Sequence, residues 1–221
     1  MSHDVIPSEP FPRPRLAVFC GSSHGHEPEY TRAAGAVGRA LGERGWGLVY
    51  GGGNVGLMGV LADAALDAGA EVIGVIPHGL ERREVAHRGL TSLEIVATMH
   101  ERKHRMYTLA DAVLALPGGI GTLEELFEAF TWGQLGIVSL PCGLLDVRGY
   151  YAPLVAMLDK AVDEGFLRRG QRERLLVDDD LKRLLDRLAT YEAPPQPSWE
   201  MPGAGTDEET DGEEMVDIPK P

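Results

Sequence analysis

DAVLALPGGIGTLEELFEAFTWGQLG (111–136) is the stretch of sequence that decides the fold. DAVLALPGG (111–119) is an apolar run that ends in a glycine turn, which predicts a strand buried on both faces of a sheet. TLEELFEAFTWGQLG (122–136) carries apolar residues at helical spacing and predicts a helix. A buried strand, a glycine turn and a helix in succession form the unit of a parallel sheet with helices packed on both faces.

The same alternation of strand and helix continues in both directions along the chain. Further strands are predicted at 15–20, 47–53, 71–77, 93–98, 142–147 and 174–179. Further helices are predicted at 28–45, between the turn after 53 and about 68, and at 99–110, 153–165 and 181–191. We therefore expect a doubly wound α/β fold with a mostly parallel, Rossmann-like sheet in a single domain over 15–191. Outside it we expect a mobile Pro-rich leader (1–14) and an acidic disordered tail (192–221).

The charge and the cysteines limit the partners and the compartment. The formal net charge is −13, and residues 192–221 alone hold nine acidic residues and one lysine. The rest of the chain is also slightly acidic, which disfavours the basic footprint of a nucleic-acid-binding protein. Cys20 and Cys142 lie in apolar runs and are expected to be buried thiols in a reducing compartment. The N-terminus has no apolar signal core, and no run reaches membrane-spanning length, so we expect a cytoplasmic protein without a membrane partner.

Three glycine-containing turns follow the carboxyl ends of predicted strands. They are CGSS (20–23), YGGGNVGLMG (50–59) and LPGGIGTLEE (116–125). In an open α/β sheet, ligands bind at this edge, where glycines let backbone N–H groups approach an anion. The second turn contains G-x-G-x-x-G from Gly51, but the next predicted strand ends in Pro77 rather than in the acid typical of a dinucleotide site. A nicotinamide dinucleotide is therefore disfavoured as the ligand.

The third turn carries the most specific pattern. In PGGIGTLEE, Thr122 is predicted to cap the following helix, which would place Glu124 and Glu125 in its first turn. A capping box between Thr122 and Glu125 is an alternative explanation of these residue types. The turn has more glycines than a cap requires, which favours binding of an anion at the start of the helix.

HERKH (100–104) matches the H-E-x-x-H signature of zinc peptidases, with Glu124 as a conceivable third ligand. Two features disfavour zinc. A strand and a glycine turn separate His104 from Glu124, and Arg102 and Lys103 would repel a dication. We therefore expect no metal, with His100 and His104 beside the cleft rather than in a metal site.

The motifs YGGGNVGLMG, MHERK (99–103) and PGGIGTLEE resemble, in this order, those of the LONELY GUY (LOG) family of cytokinin-activating proteins. The resemblance covers about residues 15–190, and the family pattern P-G-G-x-G-T-x-x-E is met from Pro117 to Glu125. It implies an enzyme, a phosphoribohydrolase that hydrolyses the N-glycosidic bond of nucleoside 5′-monophosphates to free base and ribose 5-phosphate. N6-modified adenosine monophosphates and AMP are the implied substrates. The resemblance implies no cofactor.

The resemblance also implies roles for individual residues. Glu125 and Arg102 match the family's catalytic pair, and a carboxylate near C1′ could stabilise an oxocarbenium-like state or orient water. Lys103 is a second candidate cation in substrate binding. The 5′-phosphate and the rest of the nucleotide are expected to contact Gly118, Gly119, Gly121, Thr122, Gly51, Gly52, Gly53 and Ser22. FTWGQLG (130–136) is expected either at the seam of a homodimer or packed on the sheet.

Two other functions remain open on the sequence alone. The first is a non-catalytic nucleotide-binding or carrier protein on the same sheet, because the glycine turns would look the same. The second is lysine decarboxylation, an older label of the family, which usually needs pyridoxal phosphate on a Schiff-base lysine. Lys103 is the lysine of the folded body that lies near the expected site.

Overall fold

The computed structural model describes residues 13–80, 86–138 and 140–192, and seven strands in this part of the chain form one sheet. The strands are β1 (Arg15–Phe19), β2 (Gly47–Tyr50), β3 (Val72–Pro77), β4 (Ser92–Val96), β5 (Ala112–Ala115), β6 (Cys142–Leu145) and β7 (Leu175–Asp178). Their order is β4-β3-β2-β1-β5-β6-β7, and each neighbouring pair is parallel. All seven predicted strands are present, so the predicted parallel α/β fold is confirmed.

Seven helices connect or follow the strands in the described ranges. They are α1 (Pro28–Arg44), α2 (Gly56–Asp67), α3 (Met99–Thr108), α4 (Ile120–Leu135), α5 (Ala152–Asp163), α6 (Arg169–Arg172) and α7 (Leu181–Ala189). The short helix α6 and a single 3-10 turn at Val147–Gly149 were not expected from the sequence. Both are too short to leave a readable helical period.

Two hydrophobic cores cover the two faces of the sheet. On one face, α1, α2 and α7 pack through residues such as Leu41, Leu61 and Leu184. On the other face, α3, α4 and α5 pack through residues such as Met106 and Leu126. Since both faces are covered, the inner strands carry no charged residue except Arg15 at the start of β1, and the predicted double winding is confirmed.

The strand order reverses between β1 and β5, and this switch point brings the glycine turns together. The Gly21 N–H donates to the Pro117 carbonyl at 3.1 Å, which joins the first turn to the third. The Leu57 N–H donates to the Gly21 carbonyl at 3.0 Å, which joins the first turn to the start of α2. Ligands of open α/β sheets bind in the crevice at such a reversal.

The predicted leader and tail lie almost wholly outside the described residues, which begin at Arg13 and end at Glu192. Within the described ranges, no helix combines the length and the apolar composition that crossing a membrane requires.

Candidate active site

Arg102 is held at the carboxyl edge of the sheet by backbone carbonyls. It lies in the first turns of α3 and is only 5% exposed. Its Nε donates to the Val75 carbonyl at 3.0 Å, and its Nη2 donates to the Gly51 carbonyl at 3.1 Å. These acceptors belong to β3 and to the turn after β2, so the guanidinium has one fixed orientation.

Gly51 leaves the space that this guanidinium occupies. A Cβ placed on Gly51 would lie 2.1 Å from Nη2 of Arg102, well inside van der Waals contact. The glycine is therefore required by the close approach of a side chain, rather than by an unusual backbone angle. Its neighbours are used by the protein backbone, since the Gly52 carbonyl accepts the His87 N–H at 2.9 Å and Gly53 pairs with Ala86.

Glu125 approaches Arg102 from the neighbouring helix α4. Its Oε1 lies 4.0 Å from Nη1 of Arg102, and its side chain is 13% exposed. Burial, and then the charge of Glu125, raise the pKa of the Cys20 thiol well above its usual value. Cys20 follows β1, so the carboxylate of Glu125 faces the switch point. The structure thus brings together the two residues predicted to be catalytic.

Lys103 lies beside Arg102 in sequence, but its ammonium contacts α4 carboxylates. It is 4% exposed, and its Nζ forms ion pairs with Glu124 and, at 3.0 Å, with Glu128. Burial lowers the pKa of Lys103, but the hydrogen bonds to Glu124 and Glu128 outweigh that effect and leave the pKa above its ordinary value. These ion pairs join α3 to α4, while substrate binding by Lys103 stays a prediction.

Tyr107 adds a second link between these helices. Its single hydroxyl hydrogen is shared between the Glu125 carbonyl at 2.9 Å and Oε2 of Glu128 at 3.3 Å. Burial, together with the charges of Glu128 and Glu125, raises the pKa of Tyr107 far above its usual value, so the phenol remains a donor. Arg102 and Glu125 therefore lie on two helices, α3 and α4, that are joined by the contacts of Lys103 and Tyr107.

The start of α4 differs from the expected one. Gly119, and not Thr122, is the N-cap, and the helix begins at Ile120. Glu124 and Glu125 therefore lie in the second turn, and the first turn of α4 contains no acidic residue. The expected capping by Thr122 was wrong because a glycine in extended conformation (φ −87°, ψ −159°) ends the turn first.

Thr122 instead packs closely against Gly118 in the glycine turn that precedes α4. It is 4% exposed, and a Cβ on Gly118 would lie 2.1 Å from its Oγ1. Added Cβ atoms on Gly119 and Gly121 would meet nothing within 4 Å. The first N–H groups of a helix have no hydrogen-bond acceptor within that helix. The backbone N–H groups at the start of α4 can therefore donate to a ligand that occupies the space beside these glycines.

A cavity of about 250 Å³ adjoins these donors. Its lining includes Ser22, Tyr30, Leu57, Gly118, Gly119 and Tyr150. A larger cavity of about 310 Å³ lies between Trp46 and Tyr191 at the amino edge of the sheet, away from the glycine turns. The smaller cavity is therefore the one that Ser22, Gly118 and Gly119, all expected to bind the substrate, share.

HERKH lies on α3 with its histidines outward. His100 and His104 are exposed, whereas Arg102 and Lys103 between them are buried. Thr98 is the N-cap of the helix, because its hydroxyl accepts the Glu101 N–H at 3.1 Å, and the Glu101 carboxylate in turn accepts the Ala97 N–H at 2.9 Å. In the described part of the chain, no three His, Cys, Asp or Glu side chains group as metal ligands. The spacing that suggested zinc is accounted for by a helix cap and two surface histidines.

Two tyrosines near the site belong to none of the sequence motifs described above. Tyr150 and Tyr151 follow β6, and both hydroxyls donate to carbonyls of the turn between β5 and α4. The available signal was their position, since the residues that connect the carboxyl end of a buried strand to the next helix lie at the ligand-binding edge of the sheet.

Several known proteins are similar to this chain in sequence. A family model described as "Possible lysine decarboxylase" matches residues 58–188. The cytokinin riboside 5′-monophosphate phosphoribohydrolase LOG7 of Arabidopsis thaliana is 49% identical over 178 residues, covering 80% of this chain and 82% of that protein. The probable cytokinin riboside 5′-monophosphate phosphoribohydrolase LOGL2 of Oryza sativa subsp. japonica is 44% identical over 212 residues, covering 94% of this chain and 84% of that protein.

Solved structures show the same fold at lower identity. The molybdenum cofactor binding protein of Rippkaea orientalis is 20% identical, with a TM-score of 0.61, and covers 80% of this chain and 96% of its own. A molybdenum cofactor carrier protein of Chlamydomonas reinhardtii is also 20% identical, with a TM-score of 0.58, and covers 79% of this chain and 99% of its own. At this identity the likeness concerns the fold.

Proposed function

The chain belongs to the LOG family of cytokinin riboside 5′-monophosphate phosphoribohydrolases, and we propose that its Arg102 and Glu125 hydrolyse the N-glycosidic bond of adenosine 5′-monophosphates. N6-modified nucleotides of the cytokinin type, and AMP itself, are the proposed substrates. The observation that carries the assignment of roles is the convergence of a buried arginine and a mostly buried glutamate, 4.0 Å apart, at the switch point of the sheet.

The charge at this position suits the reaction. As the C1′–N9 bond breaks, its electron pair stays with the base and positive charge develops on the ribose. The carboxylate of Glu125 can stabilise that charge and orient the water whose oxygen bonds to C1′. The base leaves as the neutral species after taking up a proton, and the water gives up one. Arg102 supplies a fixed cation whose Nη1 faces Glu125, so the opposite charge helps to hold the carboxylate in place.

The start of α4 suits the 5′-phosphate. Backbone N–H groups and the positive end of a helix attract phosphate, and no acidic residue in the first turn opposes it. This end of the helix is formed by Gly118, Gly119, Gly121 and Thr122, and the adjoining cavity is lined by Ser22. Phosphate bound at these residues would have its ribose directed toward Glu125, which lies one helical turn further along α4.

The placement of Lys103 favours this reaction over decarboxylation. A Schiff base needs a neutral amine, whereas Glu124 and Glu128 favour the protonated ammonium of Lys103. The amine is also 4% exposed and engaged by α4, so a carbonyl substrate would have to break two ion pairs to reach it.

A homodimer and a cytoplasmic location are part of the proposal. Leu135 at the end of α4 is 53% exposed and Ile137 beyond it is 44% exposed, which gives this helix an apolar outer end. Phe130 and Trp132 pack inward, so the dimer seam would use the end of the helix rather than its middle. A monomeric mass in light scattering at micromolar concentration would contradict the dimer. Cys20 and Cys142 are free, buried thiols, as is typical of a reducing compartment.

Product chromatography tests the proposed reaction. The protein is incubated with AMP, isopentenyladenosine monophosphate and adenosine, and free base and ribose 5-phosphate are quantified. We expect both monophosphates to be cleaved, and Glu125→Gln and Arg102→Ala each to lose most of the rate. Arg105→Ala is the matched control, because Arg105 lies on the same helix but pairs with Glu94 at the surface.

Two results would overturn the proposal in different ways. Retained turnover in both Glu125→Gln and Arg102→Ala would refute the roles of these residues. Thermal stabilisation by AMP without any released base would instead indicate a carrier or sensor of nucleotides.

A further inference from the structure

The loop after β6 has a constrained backbone that presents two tyrosines to the neighbouring turn. Arg148 has φ 59° and Gly149 has φ 73°, so two successive residues adopt the left-handed conformation. For arginine this conformation is unfavourable and persists only when surrounding contacts impose it. One such contact is the Asp146 carboxylate, which accepts the Tyr151 N–H at 2.6 Å. The loop is therefore a fixed platform.

Both tyrosine hydroxyls donate to the turn between β5 and α4. Tyr151 donates to the Leu116 carbonyl at 2.7 Å, and Tyr150 donates to the Gly118 carbonyl. The Pro117 carbonyl between them accepts the Gly21 N–H. Three consecutive carbonyls of this turn are thus each held by a donor from a neighbouring segment.

The two tyrosines nevertheless have different effects on the donors of the turn. In a trans peptide the C=O of one residue and the N–H of the next point in opposite directions, and the described chain has no cis peptide. Fixing the Gly118 carbonyl therefore fixes the Gly119 N–H, directed away from Tyr150. Fixing the Leu116 carbonyl orients no N–H group, because the next residue, Pro117, has no backbone N–H.

The ring of Tyr150 is itself held in place. It packs edge-to-face against Tyr30 at 5.9 Å between ring centroids and against Tyr151 at 5.1 Å. Tyr150 is 39% exposed and lines the 250 Å³ cavity beside Gly118 and Gly119. Its hydroxyl is therefore pre-positioned at the edge of the cavity without being buried in the core.

We propose that Tyr150 is a positioning residue for phosphate recognition: its hydroxyl sets the Gly118–Gly119 peptide so that the Gly119 N–H faces the 5′-phosphate of the nucleotide. This role rests on the proposed function, because it assumes that the phosphate binds at the start of α4. Gly119 is the N-cap of α4, and its N–H is among those that the helix leaves without an internal partner. Tyr150 acts through that peptide and does not touch the reacting atoms.

Calorimetric binding in the Glu125→Gln background tests this role without turnover. AMP and adenosine are titrated into Glu125→Gln alone and into the same protein carrying Tyr150→Phe or Tyr151→Phe. Tyr150→Phe is expected to lower the affinity for AMP by about threefold to tenfold, the factor that corresponds to one neutral hydrogen bond. The affinity for adenosine is expected to stay unchanged. Tyr151→Phe removes the same atom from the adjacent ring. It is expected to lower the thermal midpoint while keeping the ratio of the AMP and adenosine affinities.

The outcomes separate this inference from the proposed reaction. An unchanged ratio of the two affinities in Tyr150→Phe, or an equal loss of AMP binding in Tyr151→Phe, would refute the positioning role. Failure of the proposed reaction would show instead as wild-type protein that binds AMP without releasing base. Inorganic phosphate as a competitor of AMP binding completes the test. Its inhibition constant should rise in Tyr150→Phe and stay unchanged in Tyr151→Phe.

Discussion

Replacement of Gly51 by alanine tests how Arg102, the proposed catalytic arginine, is held. A Cβ on residue 51 would lie 2.1 Å from Nη2 of Arg102, whereas real Cβ atoms essentially never approach other heavy atoms within 3.0 Å. The guanidinium must therefore move back by roughly 0.9 Å. Gly51 is not among the residues with positive φ, so alanine fits the backbone and the disturbance falls on the side chain of Arg102.

The size of the effect follows from what the displacement breaks. Moving Nη2 lengthens its bond to the Gly51 carbonyl and tilts Nε away from the Val75 carbonyl. Each such charge-assisted bond contributes about 1.5–3 kcal/mol. A misplacement of about 1 Å at a reacting site can lower the rate by roughly 10²-fold, which corresponds to about 2.7 kcal/mol of transition-state stabilisation. We expect Gly51→Ala to lower kcat/KM for AMP by about that factor in a folded protein.

A double-mutant cycle with Arg102→Ala checks the reasoning. Turnover of AMP and the thermal midpoint are measured for wild type, both single variants and the double variant. Because the next neighbours of the added Cβ are the Arg102 Cζ at 3.3 Å and the Met58 sulfur at 3.5 Å, removing the arginine side chain relieves the clash. Gly51→Ala should therefore lower the midpoint when Arg102 is present and leave it unchanged in the Arg102→Ala background.

The control is Gly170→Ala, where an added Cβ meets nothing within 4 Å. Wild-type turnover in folded Gly51→Ala would refute the argument. An equal loss of stability in both backgrounds would show that residue 51 acts through something other than Arg102.

Two further predictions concern charges outside the proposed catalytic pair. Lys103→Met should lower the free energy of unfolding in urea by about 2 kcal/mol. This is less than the usual cost of breaking a buried ion pair, because the Glu124 side chain is 51% exposed. An unchanged urea midpoint would show that the α3–α4 ion pairs do not stabilise the fold. The hydrogen bond from Arg183 lowers the pKa of Asp178 from 3.8 to about 2, so its contribution is present above pH 4 and is lost as the pH falls toward 2. Asp178→Asn should therefore be less stable than wild type at pH 7 by about 1 kcal/mol, a value reduced because Arg183 is exposed to solvent. The difference in stability should shrink below pH 4. A difference that does not depend on pH would contradict this prediction.

The fold was predictable because its main determinant is local in sequence. A strand buried on both faces carries no charged side chain along its length, and β2, β3 and β5 show that composition over four to six residues, as does β1 after Arg15. The helix boundaries were less accurate where a glycine decides them. Gly119 can adopt the extended conformation of an N-cap as well as a helical one, so the residue types alone favoured Thr122 as the cap.

The identities of the candidate catalytic residues were available from the sequence, but their contacts were not. Arg102 is anchored by the carbonyls of Gly51 and Val75, which lie 51 and 27 residues away. A carbonyl is present in every residue, so no residue type marks it as an acceptor for a particular arginine. The pairing of Lys103 with Glu124 and Glu128 depends on the way α3 packs against α4, which the spacing within either helix does not determine.

The apolar residues of α3 explain why H-E-x-x-H misleads here. Residues four apart lie on one face of a helix, so Arg102 shares a face with Met106, and Lys103 shares one with Tyr107. Met106 and Tyr107 are buried, which turns that face toward the sheet and turns His100 and His104 toward solvent. A charge on the buried face must find partners there, and Arg102 finds them in carbonyls at the carboxyl edge of the sheet. The feature of this segment that bears on function is therefore a cation on the apolar face of a helix, and the two regularly spaced histidines lie on the other side.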